Sequence, residues 1–165
     1  MECEDSNLRE LLGNSRFAAD FSEQELTVVL QSARLVHANK DQTLFTEGAL
    51  HDDVYVVVSG HVALEMQVPR RGNVRLITAG SGELVGWSGL IGDGRMTASA
   101  IVTEDSQLIA LSSSTLRELC HEDHKLGYLL MTQTAKAISQ RLLATRLQLL
   151  DLFLETEPQI RPGQQ

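Results

Sequence analysis

Hydrophobic and polar positions follow different periods along the chain, and the changes of period separate helical from extended parts. Ser22 and Glu25 form a capping-box pattern. Apolar residues then recur at helical spacing, at Leu26, Val29, Leu30 and Ala33. The pattern predicts a helix that begins after Ser22 and ends near Leu35.

From about Asp41, short β-branched runs separated by glycine, aspartate and asparagine predict strands. The clearest run is residues 54–58, which ends at a Ser-Gly turn. Residues 61–68 alternate, a basic turn occupies 69–73, and residues 74–77 pair back as a hairpin. Further strands are predicted at 97–102 and 108–111. Short strands at this spacing favour a sandwich or a barrel.

The last third of the chain returns to helical spacing. Thr115 and Glu118 form a second candidate cap, and residues 123–154 predict one long helix without internal proline. Its first apolar stripe is Met131, Ala135, Ile138, Leu142, Thr145, Leu149 and Leu152. Its second stripe is Leu143, Leu147, Leu150 and Leu154. Two stripes favour two partners, the β-domain and a second subunit, and one wide face packed within a monomer is the alternative.

The chain carries a formal net charge of -8, with a pI near 5.0. General charge therefore disfavours binding to DNA or to anionic membranes, and a phosphate-bearing ligand would need a local positive group. Neither Cys3 nor Cys120 belongs to a Cys-x-x-Cys pair, so reduced thiols are expected. With no signal-like start and no apolar run that spans a bilayer, we expect a cytoplasmic protein without membrane contact.

Three segments in a distinctive order carry a resemblance to a known family. They are residues 44–62, residues 82–91 (Gly-Glu-Leu-Val-Gly-Trp-Ser-Gly-Leu-Ile) and residues 95–98. Over about residues 17–153 the chain resembles the cyclic-nucleotide-binding domain, the sensory half of catabolite-activator-type regulators. The resemblance implies an α+β fold, a jelly-roll-like β-roll (double-stranded β-helix) with N-terminal helices and a long C-terminal helix. The expected divisions are a polar, helical lead (1–21), the β-roll (22–122), a dimerisation helix (123–154) and a disordered tail (155–165).

The resemblance also implies a ligand site around the glycine-rich segment. Arg95 matches the arginine that pairs with the cyclic phosphate, and a guanidinium can meet two phosphate oxygens at once. Gly86 would let the backbone approach a ligand, and a short helix over about residues 87–91 would aim backbone N–H groups at an anion. Thr97 would add a hydroxyl. The remaining positions expected to contact the ligand are Leu76, Val85, Trp87, Ser88, Gly89 and Met96.

The sequence departs from the family pattern at Trp87, where members that bind cyclic nucleotides usually have a glutamate for the ribose hydroxyl. Tryptophan offers no acceptor there. Two interpretations stay open. In the first, Arg95 and the glycine loop hold an anionic effector, for which cyclic AMP and cyclic GMP are candidates. In the second, Trp87 fills an inert pocket, Arg95 pairs with a neighbouring carboxylate, and the chain is a dimerisation or protein-docking module.

No grouping of residues indicates catalysis. The His-x-His pair of a cupin metal site is missing at His61, and no paired carboxylates or nucleophile triad are specified by spacing. His121 and His124 lack a third convergent metal ligand, so no metal site is expected. We therefore predict a non-enzymatic sensor that forms a homodimer and can dock a partner protein. No DNA binding is expected from this chain alone, because about a dozen residues follow Phe153, too few for a winged helix.

Overall fold

Capping side chains set the ends of the helices in this protein. The computed structural model describes residues 2–156, and its α-helices are α1 (Glu2–Gly13), α2 (Glu23–Leu30), α3 (Ser113–Glu122) and α4 (His124–Thr156). The capping box predicted for α2 is confirmed: the N–H of Ser22 donates to the Glu25 carboxylate at 2.7 Å, and the N–H of Glu25 donates to Ser22 Oγ at 3.3 Å. None of the helices within the described residues is long and apolar enough to cross a bilayer.

Strands in the described chain form two four-stranded antiparallel sheets. They are β1 (Ala33–Ala38), β2 (Thr43–Phe45), β3 (Asp53–Ser59), β4 (Val62–Val68), β5 (Gly72–Ala79), β6 (Leu84–Val85), β7 (Ser99–Val102) and β8 (Ser106–Ser112). One sheet has the order β1-β8-β3-β6 and the other β2-β7-β4-β5. The predicted hairpin is confirmed as β4 and β5. With the flanking helices, this arrangement confirms the predicted α+β β-roll.

The first sheet is buried on both faces, because helices cover its outer side and the second sheet covers its inner side. On β3, Val54 and Val56 belong to the cluster shared with the helices, whereas Tyr55 and Val57 belong to the interior of the roll. This two-sided burial explains why residues 54–58 are an uninterrupted apolar run and do not alternate with polar residues.

The helix predicted to extend to Leu35 ends at Leu30, so that boundary was wrong. Residues 33–38 form β1, which pairs with β8 over six consecutive residues. Ser32 marks the change: its hydroxyl donates to the Val29 carbonyl at 2.7 Å, and its own carbonyl accepts from the N–H of Ser112. Helical spacing continues to Ala33, but the exposed edge of β8 gives this backbone a hydrogen-bond partner, and that pairing decides the conformation.

The cap predicted at Thr115 was also wrong, because α3 begins three residues earlier. Its N-cap is Ser112, whose hydroxyl accepts from the N–H of Thr115 at 3.3 Å. Asp52 supports the same turn by accepting from the N–H of Ser114 at 3.0 Å. At the other end Asp123 is extended (φ −123°), and its carboxylate accepts from the N–H of Lys125 at 2.9 Å. The break at Asp123 separates α3 from the long helix α4.

The first half of helix α4 packs on the body through a face that differs from the predicted stripes. Its buried positions are Leu126, Leu130, Gln133 and Thr134, whereas Met131 and Ala135 of the first predicted stripe are exposed. The packed face follows the 3.6-residue period of a straight helix, from which a heptad stripe drifts. The predicted disordered tail began at Glu155, but Glu155 and Thr156 belong to helix α4. Residues 157–165 of that tail lie outside the described residues.

Polar contacts hold the first half of α4 against the N-terminal segment. Asp20 accepts from Lys136 Nζ at 2.8 Å and from Gln133 Nε2 at 2.5 Å, which explains why a glutamine is buried on this face. Lys125 Nζ lies 2.8 Å from the Glu25 carboxylate. The hydrogen bond from Lys125, with the capping bonds from Ser22, lowers the pKa of Glu25 to about 2. These contacts fix the direction in which α4 leaves the body.

Candidate functional site

A cavity of about 450 Å³ lies between the β4–β5 hairpin, the segment that follows β6, and α4. The sheet side of its lining consists of Phe45, Leu64, Met66, Arg75, Leu76 and Ile77. The segment that connects β6 to β7 contributes Gly86, Trp87, Ser88, Met96, Thr97 and Ala98. Helix α4 contributes Arg141, Thr145, Gln148 and Leu149. The cavity is within the usual size range of small-molecule sites, and its lining is mainly apolar with a few polar groups.

Gly86 forms the turn that carries one wall of the cavity. Its φ of +82° lies in the left-handed region, and it caps a 3-10 helix over Trp87–Gly89. A Cβ at this position would lie 3.0 Å from the Asp53 carbonyl oxygen and 3.1 Å from Phe45 Cε1. Only glycine combines this backbone conformation with such a close approach. The helix has three residues, not the five expected from the sequence.

Trp87 forms a wall of the cavity and does not fill it. Its side chain is half-buried and packs against the cluster shared by the helices and the first sheet. Beside it, Ser88 Oγ lies 3.2 Å from Thr97 Oγ1, so two hydroxyl groups border the same space. The cavity of about 450 Å³ remains with the indole in place.

Of the nine residues expected at the ligand site, six line the cavity: Leu76, Gly86, Trp87, Ser88, Met96 and Thr97. Three others are not part of its lining. Val85 is buried in the interior of the roll. Gly89 is buried where a Cβ would lie 2.9 Å from Ser113 Oγ and 3.1 Å from the His51 carbonyl oxygen.

Arg95 is the third of these residues, and its side chain contacts Asp93 in its own loop and Gly48 in the segment after β2. Its Nη1 donates to the Gly48 carbonyl at 3.1 Å, and its Nε lies 3.6 Å from the Asp93 carboxylate. The side chain is 61% exposed. The role of Arg95 as a phosphate ligand stays a prediction, since nothing in the contacts of this arginine tests it.

Sequence reasoning did not find the two arginines that do line the cavity. Arg75 lies on β5, beside the basic turn predicted at residues 69–73, and its Nη2 lies 3.3 Å from the Glu65 carboxylate on the neighbouring strand. Arg141 is on α4 outside both predicted apolar stripes, so the sequence pattern did not identify it as a site residue. Its Nη2 donates to the Leu84 carbonyl at 3.1 Å, and burial lowers the pKa of its guanidinium.

Two arginines link β6 and the turn that follows it to the C-terminal helices. Arg141 ties α4 to Leu84, the first residue of β6. Arg117 on α3 donates to the carbonyl of Gly89, at the end of the 3-10 helix. Arg117 therefore contacts the last residue of the Trp87–Gly89 turn, and Arg141 contacts the strand that precedes it. Within the described residues, no three His, Cys, Asp or Glu side chains are grouped as a metal site requires.

Comparisons with known proteins agree on one family. A family model described as the cyclic nucleotide-binding domain matches residues 35–123, more than half of the chain. A cyclic nucleotide-binding domain from Methylobacillus flagellatus is similar with a TM-score of 0.75 and 21% identity, over 95% of this chain and 86% of that chain. The Thermus thermophilus catabolite activator protein has a TM-score of 0.67 and 27% identity, over 84% of this chain and 63% of its own.

A third similar structure is the regulatory domain of Toxoplasma gondii PKA in a co-crystal with cAMP. Its TM-score is 0.72 at 16% identity, over 84% of this chain and 51% of that chain. A comparison with curated proteins finds no match.

Proposed function

Because the chain belongs to the cyclic nucleotide-binding domain family, we propose that it is a non-catalytic regulatory module that binds a small anionic effector in the cavity under α4. The observation that carries the proposal is the position of α4, whose Thr145, Gln148 and Leu149 close one side of the cavity. An effector there contacts the roll and the helix together. Its binding energy therefore depends on where the helix lies, as coupling between a ligand and a conformation requires.

Cyclic nucleotides are the first effectors to test. The Toxoplasma domain of the same fold was solved in a co-crystal with cAMP. In this chain the hydroxyl groups of Ser88 and Thr97 and the amide of Gln148 are available to a polar ligand, while Trp87 offers its indole face to a base. The absent glutamate favours a related anionic molecule over an unmodified ribose, because a buried ribose hydroxyl would lose its acceptor.

Thermal melting with cyclic AMP, cyclic GMP and a panel of cyclic dinucleotides tests this proposal. A compound at 100 times its dissociation constant should stabilise the protein by about 2.7 kcal/mol. For a chain of this length the midpoint should rise by roughly 5–10 °C. Quenching of Trp87, the single tryptophan of the chain, should report the same binding directly because its side chain borders the cavity.

A matched pair of threonine variants locates the binding. Thr97→Phe fills the mouth of the cavity and should abolish the shift, whereas Thr78→Phe, at an exposed position of β5 outside the lining, should keep it. Equal shifts in both variants would place the ligand elsewhere. If no compound in the panel shifts the wild-type melting, the sensor proposal fails for those ligands and the docking module becomes the better hypothesis.

A second copy of the chain is the proposed partner of the distal half of α4. Leu143, Leu147 and Leu150 are each more than half exposed and follow the alternating four- and three-residue spacing of a coiled-coil seam. Helices with such a seam bury it best against an identical seam. We expect sedimentation equilibrium to give twice the chain's 18.2 kDa.

Leu147→Glu should give the monomer mass, because a carboxylate in the seam would be buried without a partner. The control is Leu50→Glu, which changes a more exposed leucine away from α4 and should leave the mass unchanged. A wild-type monomer at high concentration would rule the dimer out.

A further inference from the structure

Arg141 differs from Arg75 and Arg95 because it forms no salt bridge within the described residues. It is half-buried, and within the described part of the chain no carboxylate oxygen lies within 4 Å of its guanidinium. Glu83, which borders a neighbouring pocket together with Arg141, acts on this charge only from beyond that distance. Its hydrogen bond to the Leu84 carbonyl uses one of its N–H donors. A half-buried cation with most of its donors free is costly unless an anion completes its surroundings.

The other two arginines already have acidic partners. Arg75 pairs with Glu65 across the hairpin, and Arg95 pairs with Asp93 outside the lining. No aspartate or glutamate is among the residues that line the cavity. The charge available to a ligand inside the cavity is therefore that of Arg141.

We propose that Arg141 binds the anionic group of the effector, and that the effector is an amphipathic organic anion with a flat apolar body. The guanidinium would hold a carboxylate or a phosphate through paired hydrogen bonds. The apolar body would lie against Met66, Leu76, Ile77 and Trp87, on the opposite side of the cavity from α4. This proposal rests on the function proposed above and names the chemistry of its ligand.

The position of Arg141 has a consequence for signalling. Because Arg141 is on α4, an anionic group bound to it contacts the helix directly. Signalling to α4 would then not require a contact between the ligand and Arg95. Occupancy would then draw the distal half of α4 toward the roll. Anion binding by Arg141 and anion binding by Arg95 predict different effects of substitution, so variants of the two residues can distinguish the two hypotheses.

The experiment measures, by calorimetry, the binding of an anionic probe and of its neutral counterpart. The probes are 1-naphthylacetate and 1-naphthylacetamide, with cyclic AMP and adenosine as a second pair. In the wild type the anion of at least one pair should bind about tenfold or more tightly than its neutral counterpart, as one hydrogen bond to a charged group provides. Arg141→Gln should remove that preference, Arg141→Lys should restore part of it, and Arg95→Gln should leave it unchanged.

The stability of the ligand-free protein supplies an independent readout. Arg141→Gln should leave the melting midpoint nearly unchanged, because the lost hydrogen bond to the Leu84 carbonyl is offset by the removal of a half-buried charge that forms no salt bridge. A lower midpoint would assign Arg141 a structural role and overturn the proposal. Loss of the anion preference in Arg95→Gln but not in Arg141→Gln, or equal wild-type affinity for anion and neutral probe, would also overturn it while the proposed function stands. If none of the probes binds the wild type, the proposed function fails for these ligands, and this inference fails with it.

Discussion

Leu130→Ala is expected to lower the free energy of unfolding by about 2–5 kcal/mol, the range for a large-to-small substitution in a packed core. Leu130 is completely buried and joins α4 to the cluster that includes Leu12, Leu116 and Leu126. Alanine has a higher helix propensity than leucine, so the loss would come from packing and not from the helix itself. Urea unfolding followed by circular dichroism measures the change.

A control at an exposed position of the same helix separates packing from helix formation. Tyr128→Ala removes a larger side chain that is 72% exposed, and it should change stability by less than about 0.5 kcal/mol. Comparable losses in the two variants would mean that α4 is not anchored through Leu130. If α4 closes the cavity as proposed, Leu130→Ala should also weaken effector binding, since the helix would be held less firmly.

Gly86→Ala is expected to lower the free energy of unfolding by about 2–5 kcal/mol, from two separate costs. A left-handed φ of +82° is unfavourable for alanine by about 1–2 kcal/mol. The new Cβ would also press on the Asp53 carbonyl, which cannot yield easily because Asp53 is held in β3. Relief of that contact would displace Trp87 and the cavity wall, so effector binding should be lost as well.

Gly48→Ala measures the conformational cost alone. Gly48 has a φ of +78°, and no heavy atom lies within 4 Å of the position its Cβ would take. Its loss should be limited to about 1–2 kcal/mol. Equal losses at Gly48 and Gly86, measured in the same urea titrations, would show that the close approach to Asp53 has no energetic consequence.

The secondary structure was predictable wherever local chemistry decides it. The capping box at Ser22, the Ser-Gly turn after β3 and the β4–β5 hairpin depend on hydrogen bonds and backbone conformations within a few residues. The boundary at Leu30 was not predictable, because residues 33–38 are extended only where β8 is beside them. The cap at Ser112 was missed for a similar reason, since Asp52 supports it from a distant part of the chain.

The candidate site was predictable in its glycine-rich part and not in its charged part. Gly86 and Trp87 follow the family pattern in sequence, and their local turn places them at the cavity. Arg95 also matched the pattern, yet its contacts with Gly48 and Asp93 hold it at the surface of its loop. Arg141 matched no pattern in the sequence. It borders the cavity only because α4 packs across it, and the path of that helix is decided by tertiary contacts.

The sequence by itself determined the order of helices and strands, the turns that need glycine, and the family of the fold, because spacing and capping act between neighbours in the chain. Tertiary structure alone decided which face of α4 packs on the roll and which arginine borders the cavity. A straight helix drifts from a heptad stripe, so the packed face includes Gln133, Thr134 and Arg141, whose surroundings come from segments more than fifty residues away or from the helix's own turn. The roles of Gln133 and Arg141 depend on partners that are distant in the sequence, which a local pattern cannot show.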